Sequence, residues 1–205
     1  MLDLGCGGGS FLQVFKKLGV EAATIEPSSS AAAARECGID VFTGTVEEYV
    51  AKNGTGEKFD VIVCSHTLGA TPFPVETLDG MRQLLAPNGY IWVGVPNTDS
   101  EYARKLGWRW HSTYFPRNII QFSPKTLSKA GELAGLEIRR PSTYSFPEAV
   151  GYLLCLRWRH RWFIPHKISR RLLSENYLKR AAQELDSRNE GEAILMEFCH
   201  PQIRN

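Results

Sequence analysis

Short apolar runs alternate with segments of helical periodicity over the first 95 residues of the chain. The apolar runs are rich in β-branched residues, which is typical of buried strands. Alternation of this kind indicates βαβ units, in which helices join parallel strands. The pattern therefore predicts an α/β fold. Its first five strands are predicted at 1–4, 22–25, 39–42, 59–64 and 90–95.

The helix predicted after the first strand is amphipathic. Apolar residues recur at i, i+3, i+4 and i+7 on one face, and they are Phe11, Val14, Phe15 and Leu18. Further helices are predicted at 28–38, 46–51 and 74–85. Another begins after Ser123, which we expect to cap it with Pro124 at its first position.

The pattern changes after Pro96, where a long aromatic-rich segment precedes the helix at Pro124. Two more strands are predicted, at 136–140 and 192–199. These positions divide the chain into a core (1–145), a basic and mostly helical insertion (146–186) and a final segment that carries the last strand (187–205).

Composition and charge exclude several classes of protein. The five cysteines are widely spaced and form no C-x-x-C pair, so neither a disulfide framework nor a zinc site is indicated. No apolar run reaches the ~18 residues that a membrane-spanning helix needs, and the net charge is only +2. We expect a cytoplasmic protein that works without a metal ion.

The opening stretch "MLDLGCGGGSF" carries the strongest chemical signal. A strand that turns into a helix through glycines presents bare backbone N–H groups to a ligand. The dinucleotide fingerprint would need glycine where Ser10 stands, which argues against a nicotinamide-dependent oxidoreductase. The motif that remains is D-x-G-x-G-x-G, formed by Asp3, Gly5, Gly7 and Gly9.

This stretch resembles motif I of class I S-adenosylmethionine-dependent methyltransferases. The resemblance implies S-adenosylmethionine as cofactor, with the motif around its aminocarboxypropyl and ribose part. It also implies that Glu26, at the end of strand two, binds the ribose hydroxyls, because a carboxylate accepts two hydroxyl protons at once. Asp3 would brace the loop by accepting N–H bonds, contact the cofactor, or do both.

Later segments extend the resemblance. The turn that contacts adenine in the family falls on Thr45 and Val46, and the strand-four stretch "FDVIVCSHTL" contains Ser65. The segment 111–138 resembles a bacterial subgroup related to ubiquinone-type O-methyltransferases. The implied fold is a Rossmann-like seven-stranded sheet of order 3-2-1-4-5-7-6, mostly parallel with an antiparallel last strand, and helices on both faces.

The sequence departs from the family at two places. Relatives usually continue strand four with a Leu-Glu-His triplet, and here the residues are Leu68, Gly69 and Ala70. Relatives also carry helices ahead of strand one, and a chain starting at Met1 is expected to lack them.

Methyl transfer from a sulfonium is an in-line displacement, so the protein mainly aligns the reactants and removes a proton where needed. The amino-methylating [DN]-P-P-[YF] signature is absent, which favours oxygen as acceptor and leaves N- or C-methylation of a small molecule as open alternatives. His66 and His111 are the candidate bases, since histidine titrates near neutrality. His66 could instead only pack in the cofactor cleft, and His111 could belong to an aromatic substrate wall.

The insertion interleaves tryptophans with arginines and lysines between 153 and 173. Such a segment suits peripheral contact with an anionic membrane. A solvated helix pair over the substrate side is an open alternative, and nucleic acid is the least favoured partner.

The leading hypothesis is O-methylation of a small molecule or of a lipid or glycan precursor. The alternative is a degenerate, non-catalytic methyltransferase-like domain that keeps the fold or only cofactor binding.

Overall fold

A central β-sheet organises the protein, and its computed structural model describes residues 1–150 and 174–201. The strands in these ranges are β1 (Leu2–Leu4), β2 (Ala23–Ile25), β3 (Asp40–Phe42), β4 (Phe59–Ser65), β5 (Leu85–Pro96), β6 (Glu137–Tyr144) and β7 (Ala193–Cys199). Their order is β3-β2-β1-β4-β5-β7-β6, and β7 runs antiparallel to both of its neighbours. The other pairs are parallel. Both the strand order and the antiparallel last strand confirm the sequence prediction.

Helices connect the strands. Within the described ranges they are α1 (Ser10–Lys17), α2 (Ser30–Glu36), α3 (Val46–Asn53), α4 (Pro74–Leu84), α5 (Glu101–Leu106), α6 (Pro124–Leu133) and α7 (Glu175–Ser187). Ser123 caps α6 and Pro124 is its first residue, as predicted. The cap works because the Ser123 hydroxyl accepts the Thr126 N–H, one of the helix's unpaired donors.

The hydrophobic core lies on both faces of the sheet. Helices α3, α4 and α6 cover one face, where Leu78 and Leu127 are fully buried. Helices α1 and α2 cover the other face around Leu12, a smaller cluster. The neighbouring β3 residues Val41 and Phe42 pack into different clusters because successive side chains of a strand point to opposite faces.

The apolar face that the sequence predicts for helix α1 is not the buried face of this helix. Leu12 is its buried residue, whereas Val14 and Leu18 are 56% and 73% exposed. The ring of Phe11, which is exposed, lies 4.9 Å from that of Phe15, which is half-buried. The apolar stripe that the sequence shows is therefore not the face that packs on the sheet.

Two strands extend beyond their predicted limits. Strand β5 begins at Leu85, and its register against β4 shifts between Phe59 and Val61. Residues 86–89, between the predicted helix and the predicted strand, thus form an irregular part of a longer strand. Strand β6 continues through Pro141 to Tyr144, which it tolerates because it lies at the edge of the sheet.

Most of the predicted insertion, including the segment 153–173 proposed to contact membranes, lies outside the described residues. In the part of the chain that the structure describes, no helix has the length and apolar character needed to cross a membrane.

Candidate functional site

The turn from β1 into α1 presents backbone donors. Gly9 precedes α1 in a left-handed conformation, with φ of 80°, and the helix has neither a side-chain cap nor an acidic residue in its first turn. The first N–H groups of a helix have no intrahelical partner, and they carry the positive end of its dipole. This turn can therefore receive an anionic group of a ligand.

Two of the loop glycines are required by close packing. Gly5 has φ of +83°, and a Cβ there would lie 2.2 Å from Thr67 Oγ1. A Cβ on Gly9 would lie 2.5 Å from Ile39 Cδ1. Gly7 differs, since a Cβ there would meet nothing within 4 Å. The middle of the loop thus faces open space, where a ligand can approach the backbone.

Glu26 follows β2 and holds the loop. Its side chain is nearly buried, at 6% exposure, with Oε2 accepting the Gly7 N–H at 2.8 Å and Oε1 accepting the Ser28 N–H at 2.9 Å. A carboxylate has about four acceptor positions, so two are left for a ligand. Glu26 is in place both to brace the loop and to accept hydroxyl groups.

Asp3 is a second buried carboxyl beside Glu26. Burial, and then the charge of Glu26, raises the pKa of Asp3 from 3.8 to about 7. No described residue donates a hydrogen bond to this carboxyl, so the loop-bracing that the sequence suggested for Asp3 is performed by Glu26 instead. Two close carboxyls without a cation form a site that a positively charged or hydroxyl-bearing ligand would stabilise.

The other predicted cofactor residues differ in how accessible their side chains are. Thr45 is the N-cap of α3 and forms a capping box with Glu48. Val46 is 1% exposed in the main core. Ser65 is exposed at the end of β4, near the β1–α1 turn. A cofactor role for these three stays a prediction, and Val46 is left with only its backbone for such a contact.

A tight turn after β4 connects the glycine loop with a cavity. Thr67 packs against Gly5, and the preceding residue, His66, lines the cavity. His66 has φ of 54° and donates its backbone N–H to Gly94 O at 2.7 Å. A non-glycine residue in this region is strained, and such strain is often found at functional sites.

The cavity has a volume of about 250 Å³ and lies beyond the carboxyl ends of β4 and β5. Its wall combines ionisable side chains with apolar ones. The residues around it are His66, Pro96, His111, Ser112, Tyr114, Arg117, Asn118, Phe146, Glu192 and Ala193. The fold therefore brings both candidate bases to one cavity, although they are far apart in the sequence.

A buried carboxylate holds His111. The Glu192 side chain is 3% exposed, and its Oε1 lies 3.0 Å from His111 Nε2. Ser112 Oγ donates to the same oxygen at 2.9 Å. His111 itself is 53% exposed, so its ring lies between the buried carboxylate and the open side of the cavity.

His66 has a different environment. Desolvation in the cavity wall lowers the pKa of His66; the Glu192 charge opposes this shift, and the Arg117 charge adds to it. No described residue forms a hydrogen bond with its ring. His66 is thus favoured in its neutral form, without a carboxylate partner.

The departure at Leu68–Ala70 has a structural counterpart. These residues form a single 3₁₀ turn, in which Gly69 is buried and its carbonyl accepts N–H bonds from Ile119 and Ile120. A Cβ on Gly69 would lie 3.0 Å from Ile120 O. The segment that follows His111 therefore occupies the space that a larger side chain at position 69 would need.

The sequence-based assignment omitted Glu192. It precedes β7, the antiparallel strand whose first residue, Ala193, pairs with Pro96 at the end of β5. Because β7 is antiparallel, its start lies at the edge where the parallel strands end. A glutamate at the beginning of an apolar last strand was the signal available in the sequence. Asn97 secures this position by donating its N–H to Glu192 O at 2.8 Å.

Comparison with known proteins identifies the family. Residues 1–140 match the family model described as a methyltransferase domain. The chain belongs to the S-adenosylmethionine-dependent methyltransferases. The family-level prediction from the glycine motif is therefore confirmed.

The chain is similar to curated enzymes over part of its length. The ubiquinone biosynthesis O-methyltransferase of Pasteurella multocida is 36% identical over 111 residues, which are 47% of this chain and 46% of that protein. The corresponding enzyme of Histophilus somni is 37% identical over 106 residues, 47% of this chain and 44% of that protein. The match thus spans about half the length of these relatives.

Solved structures share the fold. A methyltransferase from Thermotoga maritima, described as a possible histamine N-methyltransferase, superposes with a TM-score of 0.63 at 20% identity, covering 98% of this chain and 81% of that one. The plantazolicin methyltransferase BamL, solved with S-adenosylhomocysteine, gives 0.61 at 16% identity over 96% and 74%. At these identities the likeness concerns the Rossmann-like fold.

S-adenosylmethionine, the cofactor of this family, fits the residues of the turn. It carries a carboxylate, a cationic amine and sulfonium, and ribose hydroxyls. The start of α1 suits the carboxylate, while the unpaired acid Asp3 and the free acceptor positions of Glu26 suit the amine and the hydroxyls. When bound, the cofactor supplies an electrophilic methyl group.

Proposed function

We propose that this methyltransferase transfers a methyl group to a hydroxyl oxygen of a small acceptor bound in the cavity between His66 and His111. The observation that carries the proposal is the turn after β4: Thr67 contacts the glycine loop, and its neighbour His66 lines the cavity. The acceptor and the methyl donor would then bind on either side of the turn after β4, close enough for the in-line displacement.

Oxygen is the acceptor that the site chemistry favours. A hydroxyl is a weak nucleophile until its proton is removed, and the cavity contains two imidazoles for that purpose. The names of the similar Pasteurella and Histophilus proteins agree with O-methylation. The apolar wall formed by Pro96, Phe146 and Ala193 suits the carbon skeleton of such an acceptor, free or linked to a lipid or glycan precursor.

Activity can be tested with S-[methyl-³H]adenosylmethionine and a panel of catechols, hydroxybenzoates and lipid extracts. We expect methylated product that depends on the acceptor, and loss of product with Glu26→Ala. Exposed Glu36, at the end of α2, provides the control Glu36→Gln. Tight binding of S-adenosylhomocysteine without turnover of any acceptor would favour the non-catalytic alternative. Methylation of amines alone would contradict the oxygen assignment.

A further inference from the structure

The buried carboxylate of Glu192 makes its polar contacts through one oxygen only. Oε1 contacts two donors, His111 Nε2 at 3.0 Å and Ser112 Oγ at 2.9 Å, whereas Oε2 has no partner among the described residues. A buried charge with so few partners is costly. A cation on the neighbouring imidazole would compensate it directly.

We propose that Glu192 is a positioning residue that selects His111, and not His66, as the base of the methyl transfer. His111 Nε2 lies 3.0 Å from the Glu192 carboxylate, and this contact favours the tautomer with the proton on Nε2, which leaves the Nδ1 lone pair for the acceptor hydroxyl. This inference rests on the proposed O-methylation and adds to it the residue that sets the direction of proton transfer.

The proton balance follows from this arrangement. The acceptor oxygen forms a bond to the methyl carbon while the carbon–sulfur bond breaks, and the sulfur keeps the electron pair. The hydroxyl proton passes to His111 Nδ1. The resulting imidazolium is paired with the Glu192 carboxylate, and the proton leaves to water from the exposed side of the ring. The charge of Glu192 is thus compensated at the moment when the base becomes a cation.

His66 lacks these features. Its ring has no carboxylate hydrogen-bond partner among the described residues, and its pKa is lowered by desolvation. A neutral imidazole in this position can orient the acceptor by hydrogen bonding. His111, which contacts the Glu192 carboxylate, is therefore the better candidate to hold the proton taken from the acceptor.

The tautomer can be measured without any acceptor. Ring ¹⁵N chemical shifts distinguish a protonated from a bare imidazole nitrogen, so ¹⁵N-histidine-labelled protein reports the tautomer of His111. We expect the Nε2–H form in the wild type. In Glu192→Gln the amide can donate to Nε2, which favours the Nδ1–H form. His200, whose Nε2 contacts Leu85 O instead, is the internal control and should give the same shifts in both proteins.

Turnover is the second measurement, made with the acceptor found in the tritium assay. We expect Glu192→Gln to lower kcat by roughly 10²–10⁴-fold, the usual contribution of a general base, with unchanged affinity for S-adenosylhomocysteine. His111→Asn should lower kcat similarly, and the double variant should lose little more, because the pair acts as one unit. Glu192→Asp, which keeps the charge, should recover part of the rate.

Two results would overturn the proposal: the same His111 tautomer in wild type and Glu192→Gln, or wild-type turnover by Glu192→Gln. If Glu192→Gln does not fold, the wild-type tautomer decides, since the Nδ1–H form of His111 would overturn the proposal. Failure of every acceptor would refute the proposed O-methylation, whereas the tautomer measurement would still decide the role of Glu192.

Discussion

The Glu26 carboxylate accepts the backbone N–H of Gly7 at 2.8 Å, which ties the end of β2 to the middle of the glycine loop. This bond orders the loop before a ligand arrives. It also leaves acceptor positions on Glu26 for the ligand itself. Loop geometry and ligand binding therefore depend on one side chain.

Replacing Glu26 by glutamine should weaken the binding of S-adenosylhomocysteine at least about 10-fold. The amide keeps the shape but loses charge-assisted hydrogen bonds, each worth about 1.5–3 kcal/mol. Isothermal titration calorimetry on folded protein measures the effect, with Glu36→Gln as the surface control. Equal affinities for Glu26→Gln and wild type would contradict the assignment.

The pH dependence of stability should reveal Asp3. Its pKa is raised from 3.8 to about 7 in the folded state, so between about pH 4 and 7 the folded protein binds a proton that the unfolded chain releases. The contribution of Asp3 to the free energy of unfolding therefore falls as pH rises through this range.

Urea denaturation of wild type and Asp3→Asn across pH 4–8 isolates this contribution. We expect Asp3→Asn to gain stability relative to the wild type as pH approaches 8. The exposed residue Asp60 provides the control Asp60→Asn, which should follow the wild type. A constant difference between Asp3→Asn and wild type at all pH values would show that Asp3 does not titrate in this range.

Gly5→Ala should lower the free energy of unfolding by at least about 2 kcal/mol. The left-handed conformation alone costs roughly 1–2 kcal/mol for a residue with a Cβ, and this Cβ would overlap Thr67. Gly8→Ala is the matched control, because a Cβ there meets nothing within 4 Å. Adding Thr67→Ala to Gly5→Ala should restore part of the loss, and a strictly additive double variant would contradict the overlap.

Leu12 in α1 and Leu18 directly after it test which face of this helix packs on the sheet. Leu12 is fully buried and Leu18 is 73% exposed. Leu12→Ala should cost about 2–5 kcal/mol, and Leu18→Ala should stay within about 0.5 kcal/mol. Thermal and chemical denaturation of the two variants give the comparison. Comparable losses would mean that the apolar stripe of α1 is covered in solution.

Arg117→Gln should raise the pKa of His66, since the Arg117 charge disfavours the imidazolium. The titration of the His66 C2–H signal by proton NMR measures the change. Arg188 pairs with Glu184 on α7, so Arg188→Gln is the charge-matched control. A His66 pKa that is unchanged by Arg117→Gln would mean that the two side chains do not interact across the cavity.

Local sequence signals accounted for the parts of the site that are local in the chain. The alternation of apolar runs and helices placed β1 to β5 in order, and the turn at Gly5–Gly9 lies between a strand and a helix as its motif requires. Ser123 and Pro124 predicted the start of α6 for the same reason, because a cap acts within one helical turn.

Tertiary structure decided what depends on distant contacts. The sequence could not show that α1 packs through Leu12, since its apolar residues surround more than one face. It also could not bring His66, His111 and Glu192 together, because strand pairing sets their proximity across more than one hundred residues of chain. The sequence by itself determined the α/β fold class through its short-range periodicity, and it determined the family and the cofactor loop through the resemblance of its glycine motif. Only the folded sheet, with an antiparallel β7 beside β5, placed a buried carboxylate behind one of the two candidate bases.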